Sequence, residues 1–281
     1  MRRVAVTVLL AVLGVLLAAP AAGAEPARGA VFSGTGVWID IWDALEKQPS
    51  TVVTTAQQRG VSVIYVETAN AKSKVDVVNP APLKQLVAAA HAAGIRVVPW
   101  YLPGFKKPKV DQRRLAAALA IGGTEAVDGV AVDIEATYVK NASLRSKRAG
   151  QLLQWLRATY PTTPIGAITP NPVNNYWPIF PWTEIHDTSD AVLPMCYPPR
   201  RLSAQAMYTM TTGCTAKPRD LMGDQAFPVH VISGLAGGLP PANLDAAARA
   251  ARDAGANGFS LYDLATTTAA GWTALATWSA G

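Results

Sequence analysis

Residues 128–135 read Asp-Gly-Val-Ala-Val-Asp-Ile-Glu. Side chains two positions apart lie on the same face of a β-strand, so Ala131, Asp133 and Glu135 are predicted to point in one direction. The apolar residues between them would form the opposite face and pack against helices. The segment therefore predicts a buried strand that carries two carboxylates on one face.

Short apolar runs of this kind recur along the chain and alternate with helical patterns, many of them alanine-rich. Several runs are almost continuously apolar, as expected for parallel strands that are buried on both faces. The predicted strands are Val37–Trp42, Val61–Thr68, Arg96–Leu102, Gly129–Glu135, Ile165–Thr169, Ala191–Tyr197, Val229–Gly234 and Gly258–Leu264. The predicted helices are Ala44–Arg59, Pro82–Ala93, Asp111–Ala126, Leu144–Tyr160, Leu244–Ala254 and Ala269–Trp278.

Eight strands that alternate with helices predict an α/β fold, a single (β/α)8 TIM barrel. The main alternative is a doubly wound sheet, which usually has a glycine-rich turn after its first strand. No G-x-G-x-x-G pattern follows the first strand here. The segment 174–188 and the one after Arg201 are less regular, and no helix bounds are assigned there.

The N-terminus has the pattern of an export signal. Arg2 and Arg3 precede an apolar run from Val4 to Ala19, and a small-x-small motif ends at Ala24. We therefore predict a signal peptide at 1–24, cleavage near Ala24, and a barrel domain at 25–281 that is secreted, extracellular or cell-wall associated. An uncleaved signal anchor is the alternative. No later run is long enough to predict stable membrane insertion.

The composition limits the classes of partner. The 281 residues are 50% hydrophobic and 16% charged, which is typical of a globular chain. A formal net charge of +6 gives no reason to expect nucleic acid binding. Three scattered histidines and two cysteines show no ligand spacing, so we predict no metal site and no cofactor. In an exported chain, Cys196 and Cys214 are expected to form a disulfide, with two free thiols as the alternative.

In a (β/α)8 barrel the active site lies where the strands end. Side chains at the predicted strand ends are mainly carboxylates and aromatic rings, without a nucleophilic serine motif. Two like charges close together raise the pKa of one carboxyl group, which keeps it protonated as a general acid. The alternative is structural: an Asp that caps the barrel end and a Glu that pairs with a loop arginine. The candidate site residues are Asp40, Trp42, Glu67, Trp100, Tyr101, Asp133, Glu135, Asn171, Tyr197, Tyr262 and Asp263.

Residues 128–135 resemble the fourth-strand motif of family 18 glycoside hydrolases, D-x-x-D-x-D-x-E, with Ala131 in place of the middle Asp. Met195-Cys196-Tyr197 resembles the sixth-strand M-x-Y of the same family. The resemblance implies that Glu135 protonates the glycosidic oxygen. It also implies that Asp133 orients an N-acetyl group of the substrate and that Tyr197 helps to hold it.

Other strand ends depart from that family and are shared with a second one. The third strand lacks an S-x-G-G sequence, and Tyr262 stands where a Trp is expected. The D-x-E of the fourth strand is also similar to family 25 lysozyme-like barrels, which cleave peptidoglycan. That resemblance implies an acidic residue at the end of the first strand, a position that Asp40 fills.

A second carboxylate must assist Glu135 unless the N-acetyl group of the sugar replaces it. Glu67, Asp40 and Asp263 are the candidates. Glu67 is favoured because it is predicted to lie on the same side of its strand as Tyr65. A solvated strand-end glutamate is the alternative.

Aromatic and basic residues are concentrated on the predicted rim. The rings could stack on sugars or fill the core, and they are Trp42, Trp100, Tyr101, Tyr176, Trp177, Trp182 and Tyr197. The basic residues indicate either an anionic polymer, such as a wall glycan or a uronic-acid polysaccharide, or a solvated rim, and they are Lys106, Lys107, Lys140, Arg200 and Arg201.

These features predict a secreted glycoside hydrolase, acting as a monomer on a polysaccharide or cell-wall glycan. The first alternative is a catalytically inactive carbohydrate-binding TIM barrel, because fold does not fix function. The second is a barrel hydrolase of wall peptides or esters, which the lack of a G-x-S-x-G motif and of a metal cluster disfavours.

Overall fold

Eight parallel strands form the centre of the molecule. The computed structural model describes residues 28–174, 177–198 and 202–280, so the predicted signal peptide at 1–24 lies outside the described residues. The strands are β1 (Gly34–Ile39), β2 (Val63–Asn70), β3 (Arg96–Leu102), β4 (Val130–Asp133), β5 (Ile165–Thr169), β6 (Ala191–Pro194), β7 (His230–Gly234) and β8 (Gly258–Tyr262).

The strands pair in the order β6-β5-β4-β3-β2-β1-β8-β7. Parallel bridges from Val192 to Val229 and from Met195 to Ile232 join the two ends of this order. The predicted single (β/α)8 barrel is therefore confirmed. Its helices are α1 (Pro49–Gln58), α2 (Pro80–Ala92), α3 (Pro108–Leu119), α4 (Ala142–Thr159), α5 (Trp182–Thr188), α6 (Ala204–Met222), α7 (Pro241–Asp253) and α8 (Ala269–Ser279).

Alternating side chains divide the core into two layers. Ala131 packs inside the barrel with Trp38, Tyr65 and other rings. Val130 and Val132 pack on the outer face, between the strands and the helices. This is the two-residue period predicted for the fourth strand, and it directs Asp133, two residues after Ala131, toward the barrel interior.

The irregular half of the chain contains more helix than the sequence pattern indicates. The segment after Arg201 forms α6, a 19-residue helix that begins at the Ser203 cap and contains Pro218. Threonines and a proline lower the helix propensity of this segment, so tertiary packing decides its structure. Cys214 of α6 forms the predicted disulfide with Cys196, just after β6. None of the described helices is both long and apolar enough to cross a membrane.

Candidate active site

Three carboxylates lie at the carboxyl ends of β2 and β4. Glu67 of β2 is in register with Trp100 of β3, which in turn is in register with Ala131 of β4. Asp133 is the last residue of β4, and Glu135 follows two residues later. Parallel strands end at the same edge of a barrel, so β2 and β4 bring all three carboxylates to one end.

A cleft of about 260 Å³ is formed around these carboxylates. Its wall combines acids with aromatic and aliphatic side chains, and such a mixture suits a ligand with both polar and apolar faces. The lining residues are Trp42, Glu67, Asn70, Lys72, Trp100, Leu102, Asp133, Glu135, Tyr138, Met195, Tyr197 and Tyr262. The cleft thus brings together seven of the predicted site residues, namely Trp42, Glu67, Trp100, Asp133, Glu135, Tyr197 and Tyr262.

Glu67 is almost completely buried, and two donors hold its carboxylate. Oε2 accepts a hydrogen bond from the Ile41 backbone N–H at 3.2 Å, and Oε1 accepts one from Asn70 Nδ2 at 3.2 Å. Burial raises the pKa of Glu67 to about 7, although both hydrogen bonds lower it and the charges of Asp40 and Glu135 add to the rise. The charge of Glu67 therefore changes near neutral pH.

Asp133 and Glu135 differ in their access to solvent. Asp133 is 6% exposed, and its Oδ1 has no hydrogen-bond partner among the described residues. Burial raises the pKa of Asp133 well above its ordinary value, and the charges of Glu135 and Glu67 raise it further. Glu135 is only half-buried, and burial raises its pKa as well. Burial therefore favours the neutral form of the inner carboxyl group, Asp133, and leaves the outer one, Glu135, more accessible to solvent.

Two tyrosines border the carboxylates. The Tyr262 hydroxyl donates to Asp40 Oδ2 at 2.8 Å, and Asp40 Oδ1 accepts from the Trp42 backbone N–H at 2.8 Å. The rings of Tyr197 and Tyr262 lie 6.2 Å apart. Burial raises the pKa of both tyrosines, and neighbouring acids raise it further. Both hydroxyls therefore stay protonated.

The two tryptophans of the cleft are placed differently. Trp42 is 74% exposed, so one large apolar surface faces solvent beside the acids. Trp100 is buried, and its Nε1–H has no hydrogen-bond partner among the described residues. The cleft therefore contains both an exposed ring and a buried donor that a ligand could satisfy.

Tyr101 lies outside the cleft, on the opposite face of β3 from Trp100. Its ring packs between the barrel and the helices, and its hydroxyl donates to Asp111 Oδ1 at 2.7 Å. The expectation that both residues share a substrate surface is corrected here, because adjacent residues of a strand point to opposite faces.

Asn171 and Asp263 hold rim loops and do not line the cleft. Asn171 Oδ1 accepts from the Val173 backbone N–H at 2.9 Å, and Asp263 Oδ1 accepts from the Thr266 backbone N–H at 2.8 Å. The cleft does not include either residue, and their roles in substrate contact stay predictions.

Other residues predicted on the rim do not line the cleft or lie outside the described residues. Trp177 and Trp182 pack in the outer core, and exposed Lys140 does not line the cleft. Tyr176, Arg200 and Arg201 lie outside the described residues.

One acidic group could hold a cation. Carboxylate oxygens of Asp40, Asp43 and Asp263 lie within 4.8 Å of one another. Hydrogen bonds already engage Asp40 and Asp263, as described above, and Asp43 Oδ1 accepts from the Leu45 backbone N–H at 3.2 Å. These hydrogen bonds explain why the three carboxylates lie close together.

Solved structures of carbohydrate-active enzymes resemble this chain. A GH18 chitinase from Cycas revoluta, in complex with (GlcNAc)3, aligns with a TM-score of 0.66 over 89% of this chain and 100% of its own, at 9% identity. An endo-beta-1,4-mannanase from Thermotoga petrophila aligns with a TM-score of 0.65 over 91% of this chain and 77% of its own, at 10% identity. The chain therefore shares the (β/α)8 barrel fold of these solved structures.

This barrel also aligns with the Bacillus cereus spore cortex-lytic enzyme SleL, with a TM-score of 0.61 over 88% of this chain and 74% of that one, at 9% identity. No protein-family model and no curated protein sequence matches the chain. At such low identity the likeness establishes the fold alone.

Five residues that line the cleft are not among the predicted site residues: Asn70, Lys72, Leu102, Tyr138 and Met195. Leu102 ends β3, while Lys72 and Tyr138 lie in the loops after β2 and β4. Leu102 has the same strand period as Trp100, a signal that could have found it. Loop residues have no such period, so only the folded structure shows that Lys72 and Tyr138 line the cleft.

Proposed function

We propose that the protein is a secreted glycoside hydrolase that cleaves a polysaccharide or cell-wall glycan with Glu135 as proton donor. The observation that carries this proposal is the group of three carboxylates, Glu67, Asp133 and Glu135, within one cleft lined by aromatic rings. Burial of acids without a function is costly, so their clustering favours chemistry.

Glu135 is suited to protonate the leaving oxygen. Its carboxyl group is the most accessible of the three, and burial raises its pKa. A raised pKa favours the protonated form of Glu135, and proton donation to the leaving group is the acid step of glycoside cleavage.

Glu67 is suited to the opposite role. Hydrogen bonds from Ile41 and Asn70 favour its charged form, and a charged carboxylate can stabilise the positive charge that develops on the sugar ring or activate water. In this proposal the protonated form of Asp133, which burial favours, donates a hydrogen bond to an N-acetyl or hydroxyl group of the sugar.

Aromatic residues would hold the sugar against these acids. The exposed Trp42 ring offers an apolar face for stacking, and the free Trp100 N–H offers a donor for a hydroxyl or carbonyl oxygen. Tyr197 supplies a protonated hydroxyl beside Asp133. The cleft thus offers an apolar ring to the apolar face of a sugar and hydrogen-bond donors to its polar groups.

Reducing-end release tests the proposal. We would compare the purified protein with Glu135→Gln on chitin, peptidoglycan, a uronic-acid polysaccharide and a neutral polysaccharide. The control is Glu125→Gln, which makes the same chemical change at a partly exposed position paired with His91. We expect hydrolysis of one substrate class and a loss of about 100-fold or more in Glu135→Gln alone.

Full turnover in Glu135→Gln would contradict its assignment as proton donor. Binding of a glycan without hydrolysis by the unmodified protein would favour the alternative function, a catalytically inactive carbohydrate-binding barrel.

A further inference from the structure

A second cavity of about 450 Å³ lies beside the cleft. The loops after β2 and β3 and the start of α3 form most of its wall. Lys72 and Tyr138 line both cavities, so the two share a wall. We call the second cavity the basic pocket, after the cations that line it: Lys72, Lys106, Lys107, Arg113 and Arg114.

Most of this positive charge is not neutralised. Asp76 pairs with Arg113 at 2.7 Å and lies 3.8 Å from Arg114 Nε. Among the described residues, no acidic group lies within ion-pair distance of the three lysines, Lys72, Lys106 and Lys107. The pocket therefore offers three cationic side chains to a ligand.

One carboxylate also lines the pocket, but its oxygens bind inward. Asp111 is 4% exposed and accepts from the Tyr101 hydroxyl at 2.7 Å and from the Phe105 backbone N–H at 3.1 Å. The charge of Asp111 lowers the net positive charge of the pocket, but its oxygens already accept hydrogen bonds from the protein. The pocket remains a surface for an anion.

Buried contacts fix the shape of the pocket and connect it to the cleft. Arg114 is 6% exposed and donates to the Asn70 carbonyl at 2.8 Å and to the Ser73 carbonyl. Asn70 in turn donates to Glu67 in the cleft. A Cβ on Gly104 would lie 2.8 Å from Ala71 Cβ, so the two loops touch. The pocket is thus a built feature of the same wall that holds Glu67.

Tyr138 places a ring at the boundary of the two cavities. Lys106 Nζ lies 5.8 Å from the centre of this ring, within the range of a cation–π contact. A sugar against Tyr138 would therefore have a cation next to it on the side away from the catalytic acids. An acidic substituent on that sugar would be met by positive charge.

We propose that the basic pocket is a subsite for a carboxylate-bearing sugar of the glycan held in the cleft. This inference rests on the proposed function, because it takes the cleft to be the glycan site. The carboxylate could be that of a uronic acid or of a lactyl ether on an amino sugar. In both cases Lys106 and Lys107 would donate charge-assisted hydrogen bonds to it.

Calorimetric titration of oligosaccharides tests the subsite. The parent protein carries Glu135→Gln to prevent turnover, and the variant adds Lys106→Gln with Lys107→Gln. The control adds Lys84→Gln with Lys217→Gln, two exposed lysines that line neither cavity. The ligands are chitotetraose, the peptidoglycan tetrasaccharide of alternating N-acetylglucosamine and N-acetylmuramic acid, tetragalacturonic acid, and carboxyl-reduced tetragalacturonic acid.

We expect the pocket variant to bind at least one acidic tetrasaccharide about tenfold more weakly, with unchanged affinity for its neutral counterpart. Loss for the muramic acid ligand identifies a lactyl carboxylate, and loss for tetragalacturonic acid identifies a uronate. We also expect added NaCl to weaken the binding of acidic ligands to the parent more than to the variant.

Three results would overturn the subsite: equal losses in the control variant, equal losses for acidic and neutral ligands, or no binding of either acidic ligand to the parent. Hydrolysis by the unmodified protein distinguishes the two proposals. Selective lysine-dependent binding without hydrolysis would support the subsite and contradict the hydrolase. Hydrolysis without preference for acidic ligands would support the hydrolase and contradict the subsite.

Discussion

The floor of the barrel, where the strands begin, pairs its charged groups with partners of opposite character. Asp128 there accepts from the Val97 backbone N–H at 2.7 Å and lies 2.9 Å from His91 Nε2. Arg96 donates to several carbonyl oxygens, including that of Ser33 at 2.6 Å. At the mouth, where the strands end, acids instead lie near other acids, and their charges raise each other's pKa.

The difference indicates that the two ends serve different purposes. Contacts at the floor lower the free energy of the folded state. Like-charged groups at the mouth raise it, which a protein retains when the strained arrangement is needed for activity. We therefore expect substitutions at the floor to cost stability, and substitutions at the mouth to change activity and pH dependence.

The largest expected change in stability is at the floor. A Cβ on Gly258 would lie 2.0 Å from His230 Nδ1 and 2.5 Å from the Phe32 carbonyl oxygen. We expect Gly258→Ala to lower the free energy of unfolding by about 3 kcal/mol or more, measured by urea denaturation. Gly238→Ala, whose Cβ would meet nothing within 4 Å, is the control. Similar stability of both variants would contradict the close packing of the floor.

The next prediction concerns a mouth carboxylate. Burial raises the pKa of Glu67 to about 7 from its ordinary 4.5, so the folded state holds this proton more tightly than the unfolded state. The resulting stabilisation is complete below pH 4.5 and is lost as the pH rises to 7, by about 3 kcal/mol. Urea denaturation at both pH values should show that Glu67→Gln removes this part of the pH dependence. An unchanged pH dependence in Glu67→Gln would contradict the raised pKa of Glu67.

The floor should show the opposite dependence on a smaller scale. Burial lowers the pKa of His230 from 6.5 to about 4, so the unfolded state binds the proton more tightly. Stability is therefore lost as the pH falls from 6.5 toward 4, by about 2 kcal/mol at pH 5. Denaturation of His230→Gln at pH 7 and pH 5 should show a loss smaller by this amount. An equal loss in both proteins would show that His230 titrates normally.

The barrel could be predicted from the sequence because its signal is local. The two-residue period in 128–135 is visible without knowledge of any other strand, and both of the carboxylates that it singles out, Asp133 and Glu135, line the cleft. The same period places Tyr101 and its neighbour Trp100 on opposite faces of β3, so the prediction that both contact the substrate is wrong for Tyr101.

The basic pocket could not be predicted in the same way. Lys72, Lys106 and Arg114 come from two loops and a helix that meet only in the folded chain. Arg114 is a buried cation whose partners are backbone carbonyls, and no sequence pattern marks such partners. The long helix α6 escaped prediction for a related reason, because its threonines and Pro218 obscure its helical period.

The measurement that tests the central claim most directly is the leaving-group dependence of Glu135→Gln. An oligosaccharide needs a proton on its leaving oxygen, whereas a 2,4-dinitrophenyl glycoside of the same sugar releases a stable phenolate without one. If Glu135 is the proton donor, bond cleavage in the variant should fall about 100-fold or more for the oligosaccharide and less than about tenfold for the dinitrophenyl glycoside. Equal losses for both substrates would contradict this role, because they would show that Glu135 acts elsewhere than on the leaving group.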